Sequence, residues 1–561
     1  MVTNARAEKP GKVALKMAVS AVLFAGLCAA ASRLAGGAEH GRWYSIAPPL
    51  LAIFLAFLTR HVIFSLGLAF LVGGLLCHVP EAPLFAGSWS HGYLAAGAML
   101  RATAADVGNL KILAFIPPVF VMIELIIASG GFNGVVLWLM RWIRGKRSAQ
   151  TQTAVLGVLC FIDDYANAII VGSMMQPVTD RFRISREKLA FIVDATSAPI
   201  SGLAIVSTWI AYEVGLFGTV SAELGFGRGG YAMFFDALSY RFYCLFMILF
   251  VFVNILAGRD FGPMRRAEAK AEGGGLPTAD DGAPALRVEG RALNAVIPLA
   301  AFLGFHVCGL WLDGGGPAKL AAGGSPGSWV YWQDVIGHAE NSTVMLAGAA
   351  VFGLTVALAC GLLTRALPPR AVGRCFCNGV KRAMMPACVL VLAWSLKRSC
   401  DTLQTGEFLT GILAERISPL AFPAILFAVA SLTSFATGTS WGTMAILIPT
   451  GIPIAFAMDG GVYGLTTMIS LGAVLDGAIF GDHCSPISDT TIISSVSADC
   501  DLMQHVRTQL PYSLSVAAVA LACGYIPSVF GVGWAYSAAA GAAAMATLFG
   551  VVILCRRPSA L

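Results

Sequence analysis

Residues 151–176 read TQTAVLGVLCFIDDYANAIIVGSMMQ, apolar at both ends, polar in the middle and long enough to cross a bilayer. Arg141, Arg144, Lys146 and Arg147 precede the stretch, and Arg181, Arg183, Arg186 and Lys188 follow it. Basic residues collect on the cytoplasmic side of membrane proteins, so both ends belong on that side. A re-entrant hairpin meets this requirement: two arms of about ten residues rise 1.5 Å per residue and reach roughly 15 Å, half the hydrocarbon thickness. The expected hairpin covers 153–176, with DDYAN (163–167) at its tip.

The rest of the chain supports a membrane setting. Of 561 residues, 57% are hydrophobic and only 12% charged, where soluble domains carry about 25%; the mean hydropathy is +0.76. Apolar runs at roughly 14–32, 44–59, 62–79, 110–128, 189–213, 234–257, 292–312, 342–363, 387–404, 466–495, 511–530 and 534–554 predict an all-α polytopic membrane protein of about twelve transmembrane helices. The net charge of +6 does not point to nucleic acid, because Lys and Arg occupy short connections, where they set orientation. Lys9, Lys12 and Lys16 place the N-terminus in the cytoplasm and Arg556 and Arg557 the C-terminus. Arg259, Arg265, Arg266 and Lys270, then Arg365, Arg370, Arg374, Lys381 and Arg382, fall on the same side. The expected location is the cell membrane, with the first apolar stretch retained as a helix. Cysteines such as Cys160, Cys244, Cys308 and Cys360 stand singly in apolar runs and act as small hydrophobes. Cys375 and Cys377 lack the second pair that a zinc site needs.

A second polar-centred stretch, LFAVASLTSFATGTSWGTMAILIPTGIPIAF, occupies 426–456. DDYANAIIV lays on TSWGTMAIL with Tyr165 facing Trp441 and Asn167 facing Thr443. Its flanks carry only Glu415, Arg416 and Asp459, so a hairpin at 420–457 enters from the opposite side. A long helix with a polar interruption follows each hairpin: VDATSAPIS (193–201) and GDHCSPIS (481–488) share Asp, Ser and Pro-Ile-Ser in order. The organisation expected is an inverted repeat, 110–257 against 387–530. Around it lie N-terminal helices (1–109), a cytoplasmic loop (258–291), connecting helices (292–386) and a C-terminal helix (531–561). Inverted repeats with broken helices are the architecture of secondary transporters, whose sites form where the interruptions meet.

Pro486 removes a backbone donor and frees carbonyls, which are tolerated at membrane depth only inside protein or beside a watery cavity. Carbonyls, hydroxyls and carboxylates together suit a small hard cation. The candidate cation and proton ligands are Asp163, Asp164, Asn167, Asp194, Thr196 and Ser197 from the first half. The second half offers Thr439, Ser440, Asp482, Ser485, Ser488 and Asp489. Asp194 and Asp482 are the leading Na+ ligands. An Asp at the centre of a spanning helix costs about 2.5–3.5 kcal/mol, and Asp163, Asp164, Asp194, Asp476, Asp482 and Asp489 all occupy the hairpin or the broken helices. Each has a structural reading as well, since a half-helix N-terminus favours an Asp cap. A carboxylate withdrawn from water holds a proton or a cation in preference to bare charge, so one site serves H+ and Na+ in turn. His483 reads as a proton relay or as a hydrogen-bonded histidine at the break, and Glu124 as a polar-face residue. Lys397 and Arg398, near Asp401, read as an internal ion pair or as a counter-charge for an organic anion.

At DDYANAIIVGSMMQPVTDRFRISREKLAFIVDATSAP (163–199), TGTSWGTMAILIP (437–449) and GDHCSPISDTTIISS (481–495) the chain resembles the NhaC-type Na+/H+ antiporters of the ion transporter superfamily. The likeness extends over 110–530 and implies inverted repeats, re-entrant hairpins and Na+ as coupling ion. Relatives in that family look like exchangers of organic acids or amino acids. The function expected is exchange of Na+ for H+ by alternating access, with no enzymatic activity and no cofactor beyond the transported ions. The alternative is Na+-coupled movement of a small organic acid or amino acid. A homodimer is among the assemblies allowed, and a channel is disfavoured because an inverted repeat suits alternating access.

Overall fold

The computed structural model describes residues 43–59, 61–77, 87–273, 290–339, 341–405, 408, 417–486 and 488–554. The expected span at 14–32, the terminal basic clusters, Glu415, Arg416 and residues 274–289 of the loop 258–291 lie outside them. Among the described residues the chain is helical, with no strand. Eight helices are long and apolar enough to cross a membrane, or ten if each of two bent pairs counts as one span. The protein is a multi-pass membrane protein.

The first hairpin has arms Lys146–Leu159 and Asp164–Arg181. Its arms fold back on one another: Asn167 Nδ2 donates to the Gly157 carbonyl at 2.7 Å. The turn falls at 160–163, slightly ahead of the expected DDYAN tip. The reason is Asp163, which caps the second arm by accepting from Ala166 N at 2.7 Å.

The second hairpin has arms Phe422–Thr437 and Ser440–Met458. Leu426 packs against Gly451, each about a dozen residues from the turn, so the arms run antiparallel. Gly438 makes the turn at φ +69°, a conformation that excludes most side chains. Thr439 then caps the second arm by accepting from Gly442 N at 3.3 Å. Asp163 and Thr439, aligned in sequence, thus make the same cap in the two hairpins.

Both interrupted helices are broken where polar residues break them in the sequence. The expected span 466–495 is two helices, Leu465–Cys484 and Asp489–Ser497. Ser485 leaves the helix in extended conformation before Pro486, and Ser488 caps the next helix. The expected span 189–213 is three pieces, Arg186–Ala195, Ala198–Leu203 and Thr208–Leu224. Ser207 caps the last by accepting from Trp209 N and Ile210 N, and the chain bends there by 52°. A span predicted from 387 begins earlier, as Pro369–Thr402, so Lys381 and Arg382 are helical residues rather than loop residues.

Close packing centres on Leu465–Cys484. A Cβ on Gly477 would stand 2.5 Å from the Phe427 carbonyl oxygen, and one on Gly481 would stand 2.2 Å from that of Ser431. Small residues four apart let two backbones touch, the usual way helices associate in lipid. This stripe seats the first arm of the second hairpin directly beside Asp482. On the far side of the same helix a buried ion network joins the halves. Arg241 Nε donates to Asp476 Oδ1 at 3.0 Å, and its Nη1 to Glu213 Oε1 at 3.3 Å. Tyr243 N and Tyr525 Oη donate to Asp476 Oδ2 at 2.6 and 2.7 Å. Asp476, which on sequence grounds had both a transport-path and a structural reading, is a partner in this network.

Candidate functional site

The two hairpins exchange partners. The turn of the first meets the second broken helix: Tyr165 Oη donates to Asp489 Oδ2 at 3.3 Å, and Gly172 lies against Ser497. The turn of the second meets the first broken helix: Tyr212 Oη donates to the Trp441 carbonyl at 2.5 Å, and the Trp441 ring packs on Trp209 and Tyr212. Between the turns lies a cavity of about 500 Å³. Asp163, Asp164 and Tyr165 line it from the first hairpin and Gly438–Gly442 from the second. Asp482, Asp489 and Thr490 come from the second break, and Lys381, Arg382, Met385, Pro386 and Val389 from Pro369–Thr402.

Its four carboxylates are not equivalent. Asp163 is fully engaged: Oδ1 accepts from Ala166 N and, at 3.0 Å, from Arg382 Nη2, while Thr208 Oγ1 lies 3.4 Å from Oδ2. Arg382 also donates to Glu124 Oε1 at 2.9 Å and lies over the Phe120 ring. Asp164, its neighbour, is buried, and its Oδ1 has no hydrogen-bond partner among the described residues, although the Trp209 indole lies beside that carboxylate. Asp482 accepts from Thr490 Oγ1 at 2.8 Å through Oδ2, and its buried Oδ1 has no hydrogen-bond partner among the described residues, although the Ser488 hydroxyl lies beside that carboxylate. Asp482 lies within electrostatic reach of Asp164. Asp489 is exposed to the cavity and held by Tyr165. A buried oxygen left without a donor costs free energy, and two such carboxylate oxygens around one cavity are what a cation or a proton would satisfy.

Of the residues nominated from sequence, Asp163, Asp164, Thr439, Ser440, Asp482 and Asp489 line this cavity. The others surround it. Asn167 ties the first turn to the first break through the Gly157 and Thr196 carbonyls, and its Oδ1 has no partner among the described residues. Thr196 and Ser197 donate to the Ile192 and Asp194 carbonyls, and Ser485 to the Phe435 carbonyl at 2.7 Å. Ser488 is the cap already described.

Asp194 is fully buried and does not line the cavity. Gln509 Nε2 donates to its Oδ2 at 2.6 Å, and the Thr491 and Ser494 hydroxyls lie 3.4 Å from Oδ2 and Oδ1. His483 Nε2 lies 3.2 Å from its carbonyl, and His505 Nε2 lies 3.4 Å from Oδ2.

Lys397 and Arg398 do not reach the cavity. Lys397 pairs with Glu223 and, at 3.0 Å, with Asp401; Arg398 is exposed. The cations at the cavity are Lys381 and Arg382, one to two turns before Pro386 on the same helix. A spacing of four from Pro386 would have found Arg382 but not Lys381, which is five residues before it. His505 and Gln509, four apart on Leu502–Val519, were missed because the expected span began at 511; with Tyr512 they form one buried stripe.

A family model described as the Na+/H+ antiporter family matches residues 200–528. An uncharacterized protein of Haemophilus influenzae is 33% identical over 519 residues, 91% of this chain and 94% of that protein. A malate-2H(+)/Na(+)-lactate antiporter of Bacillus subtilis is 38% identical over 100 residues, 18% of this chain and 20% of that protein. Among solved structures, the Alcanivorax borkumensis YdaH transporter superposes with a TM-score of 0.55 at 13% identity, covering 87% of this chain and 99% of that one. This likeness is one of fold.

Proposed function

The chain belongs to the Na+/H+ antiporter family, and we propose that its exchange of Na+ for H+ runs through the cavity between the hairpin turns. Asp164 and Asp482 are the groups that hold Na+ and H+ in turn. One observation carries this reading: each lines the same cavity and keeps one buried oxygen that has no hydrogen-bond partner among the described residues. Asp194, nominated as a Na+ ligand with Asp482, has N–H and O–H groups around both of its oxygens. A cation needs free lone pairs, so Asp164 is the better partner for Asp482. The hydroxyls of Thr439, Ser440 and Thr490 complete a hard-oxygen surround.

The matched caps of Asp163 and Thr439 support two repeats of opposite orientation, completed to about twelve spans by helices outside the described residues. Broken helices at the centre of such repeats support alternating access. The basic flanks of the first hairpin support cytoplasmic entry for it and an entry from outside for the second.

A second reading is favoured by the size of the cavity. About 500 Å³ lies in the range of small-molecule sites and far exceeds the space of one sodium ion. Phe120, Met385, Pro386, Val389 and Trp441 give apolar walls, and exposed Lys381 offers an ammonium group. A small organic carboxylate fits that combination, and an organic-acid antiporter is among the relatives.

One experiment separates the two. Proteoliposomes are given an inward Na+ gradient, and internal pH is followed without and with a panel of dicarboxylates and amino acids. Proton efflux in the absence of any organic solute supports simple exchange. A pH response that requires one solute supports the organic carrier, and no response to Na+ in any arm overturns both.

A further inference from the structure

A second cavity, of about 570 Å³, opens at the base of the first hairpin. It lies between the start of the arm Lys146–Leu159, the connection at 258–261 and the helix Gly262–Glu272. Val552, the last residue of the apolar span Trp534–Val552, also lines it. The end of a span marks the depth at which lipid headgroups begin, so this cavity stands at the boundary of the membrane with water.

Its charges do not balance. Asp260, Glu268 and Glu272 line it, but each is already paired: Lys188 Nζ lies 2.5 Å from Asp260 Oδ1, and Lys146 Nζ lies 2.7 Å from both Glu268 Oε2 and Glu272 Oε1. Arg147, Arg259 and Arg265 line it as well, and among the described residues none of their guanidinium groups makes an ion pair or a hydrogen bond. Arg147 lies across Gly258, where a Cβ would stand 2.7 Å from Nη2; the missing side chain gives the guanidinium its place.

Two further groups lack partners there. Gln150 is only 5% exposed and lines the cavity, yet its amide makes no hydrogen bond among the described residues. A buried amide without a partner costs free energy, which a bound ligand would recover. The helix Gly262–Glu272 begins at the cavity with Phe261 as its cap residue, so no side chain accepts from its first turn. An uncapped helix start attracts an anion.

We infer that this cavity binds a phosphate group, carried on an anionic lipid headgroup or free in solution. Guanidinium groups match phosphate oxygens in paired hydrogen bonds, and Arg147, Arg259 and Arg265 supply them from three separate segments. Gln150 adds an amide donor from below. Bound phosphate ties the base of the first hairpin to the helix Gly262–Glu272, so binding stabilises the fold. The inference stands apart from the choice of ions carried by the cavity between the hairpin turns.

The test uses the full-length protein, stripped of lipid in detergent. It is titrated with short-chain phosphatidylglycerol, with phosphatidylcholine of the same chain length, and with inorganic phosphate against chloride at equal ionic strength. Tm and native mass spectrometry read binding. A rise in Tm with phosphatidylglycerol but not phosphatidylcholine supports a headgroup site; a rise with inorganic phosphate supports a site for the free ion. Arg147→Gln with Arg265→Gln is expected to weaken the binding about a hundredfold, about tenfold for each charge-assisted contact. Gln150→Leu keeps every charge and is expected to weaken it at least about threefold. Arg266→Gln with Lys270→Gln removes two exposed cations of the same helix that do not line the cavity, and should leave affinity within about twofold. Binding of neither probe, or equal losses in the two double variants, overturns the site. If Arg147→Gln with Arg265→Gln does not fold, Gln150→Leu decides alone, and unchanged affinity there overturns the inference.

Discussion

Arg382 and Asp163, 219 residues apart in the chain, meet at 3.0 Å. The contact draws the long helix Pro369–Thr402 onto the turn of the first hairpin. It also divides the labour of two adjacent aspartates. Asp163 spends its lone pairs on a cap and a guanidinium, and Asp164 keeps an oxygen free at the cavity wall.

Asp164→Asn is expected to abolish Na+-driven transport without loosening the fold, because it removes an uncompensated buried charge and keeps the shape. Wild-type protein in detergent is expected to gain stability with Na+, by about 2.7 kcal/mol at a hundredfold excess over Kd. The mutant should melt at least as high as wild type without Na+ and show no gain with it. A full Na+-dependent shift in the mutant would remove Asp164 from the site.

Arg382→Gln is expected to act on stability first. It leaves Asp163 and Glu124 facing each other without a cation in a partly buried place, at a cost of about 1–3 kcal/mol. A lower Tm together with slower transport is the expected pair of results. An unchanged Tm would mean that the guanidinium contact is incidental.

Arg241→Met tests the buried network against Glu213 and Asp476. Removing the one cation from two buried carboxylates costs about 3–5 kcal/mol, so the yield of folded protein should drop sharply. Arg241→Met combined with Glu213→Leu and Asp476→Leu should recover most of that loss, because no buried charge is then left unpaired. Failure of the triple variant to recover would show that the network does more than neutralise itself.

Apparent Na+ affinity is expected to rise with pH. Na+ occupies a carboxylate only after its proton has left, so protons compete at low pH and the competition fades as pH increases. If one Na+ displaces one proton, affinity changes about tenfold per pH unit over the range in which the site is protonated, and about a hundredfold if it displaces two. Isothermal titration at several pH values reads the slope, and a flat profile would separate the Na+ site from the proton site.

The folding back of the first stretch was legible in the sequence because basic residues stand at both of its ends, that of the second because its polar centre aligns with DDYANAIIV, and the breaks because Pro486 and its polar neighbours cannot continue a helix. Aligning DDYANAIIV with TSWGTMAIL matched Asp163 to Thr439, and these two residues make the same cap. The turn was placed late for the same reason that Asp163 was nominated. A carboxylate beside a helix start is first a capping group, and sequence does not separate capping from binding. Arg382 was read as a loop cation because charge density alone does not tell a loop from the polar end of a long helix. The withdrawal of Asp194 from the cavity was not legible at all, since it depends on Gln509 and His505 arriving from a helix more than 300 residues away, as the 315-residue separation of Asp194 and Gln509 shows.

The glycine stripe on Leu465–Cys484 bears on how the molecule moves. Where a single methyl group at Gly477 or Gly481 would collide with a carbonyl oxygen, two helices have no slack to slide by a residue. The arm Phe422–Thr437 and the helix carrying Asp482 are thereby locked together, so any displacement moves the second hairpin turn and Asp482 as one body. Displacement is left to boundaries built of larger, rotatable side chains, such as Trp441 against Trp209 and Tyr212. A short thiol cross-link across the glycine contact should leave transport running, and one across the aromatic contact should stop it.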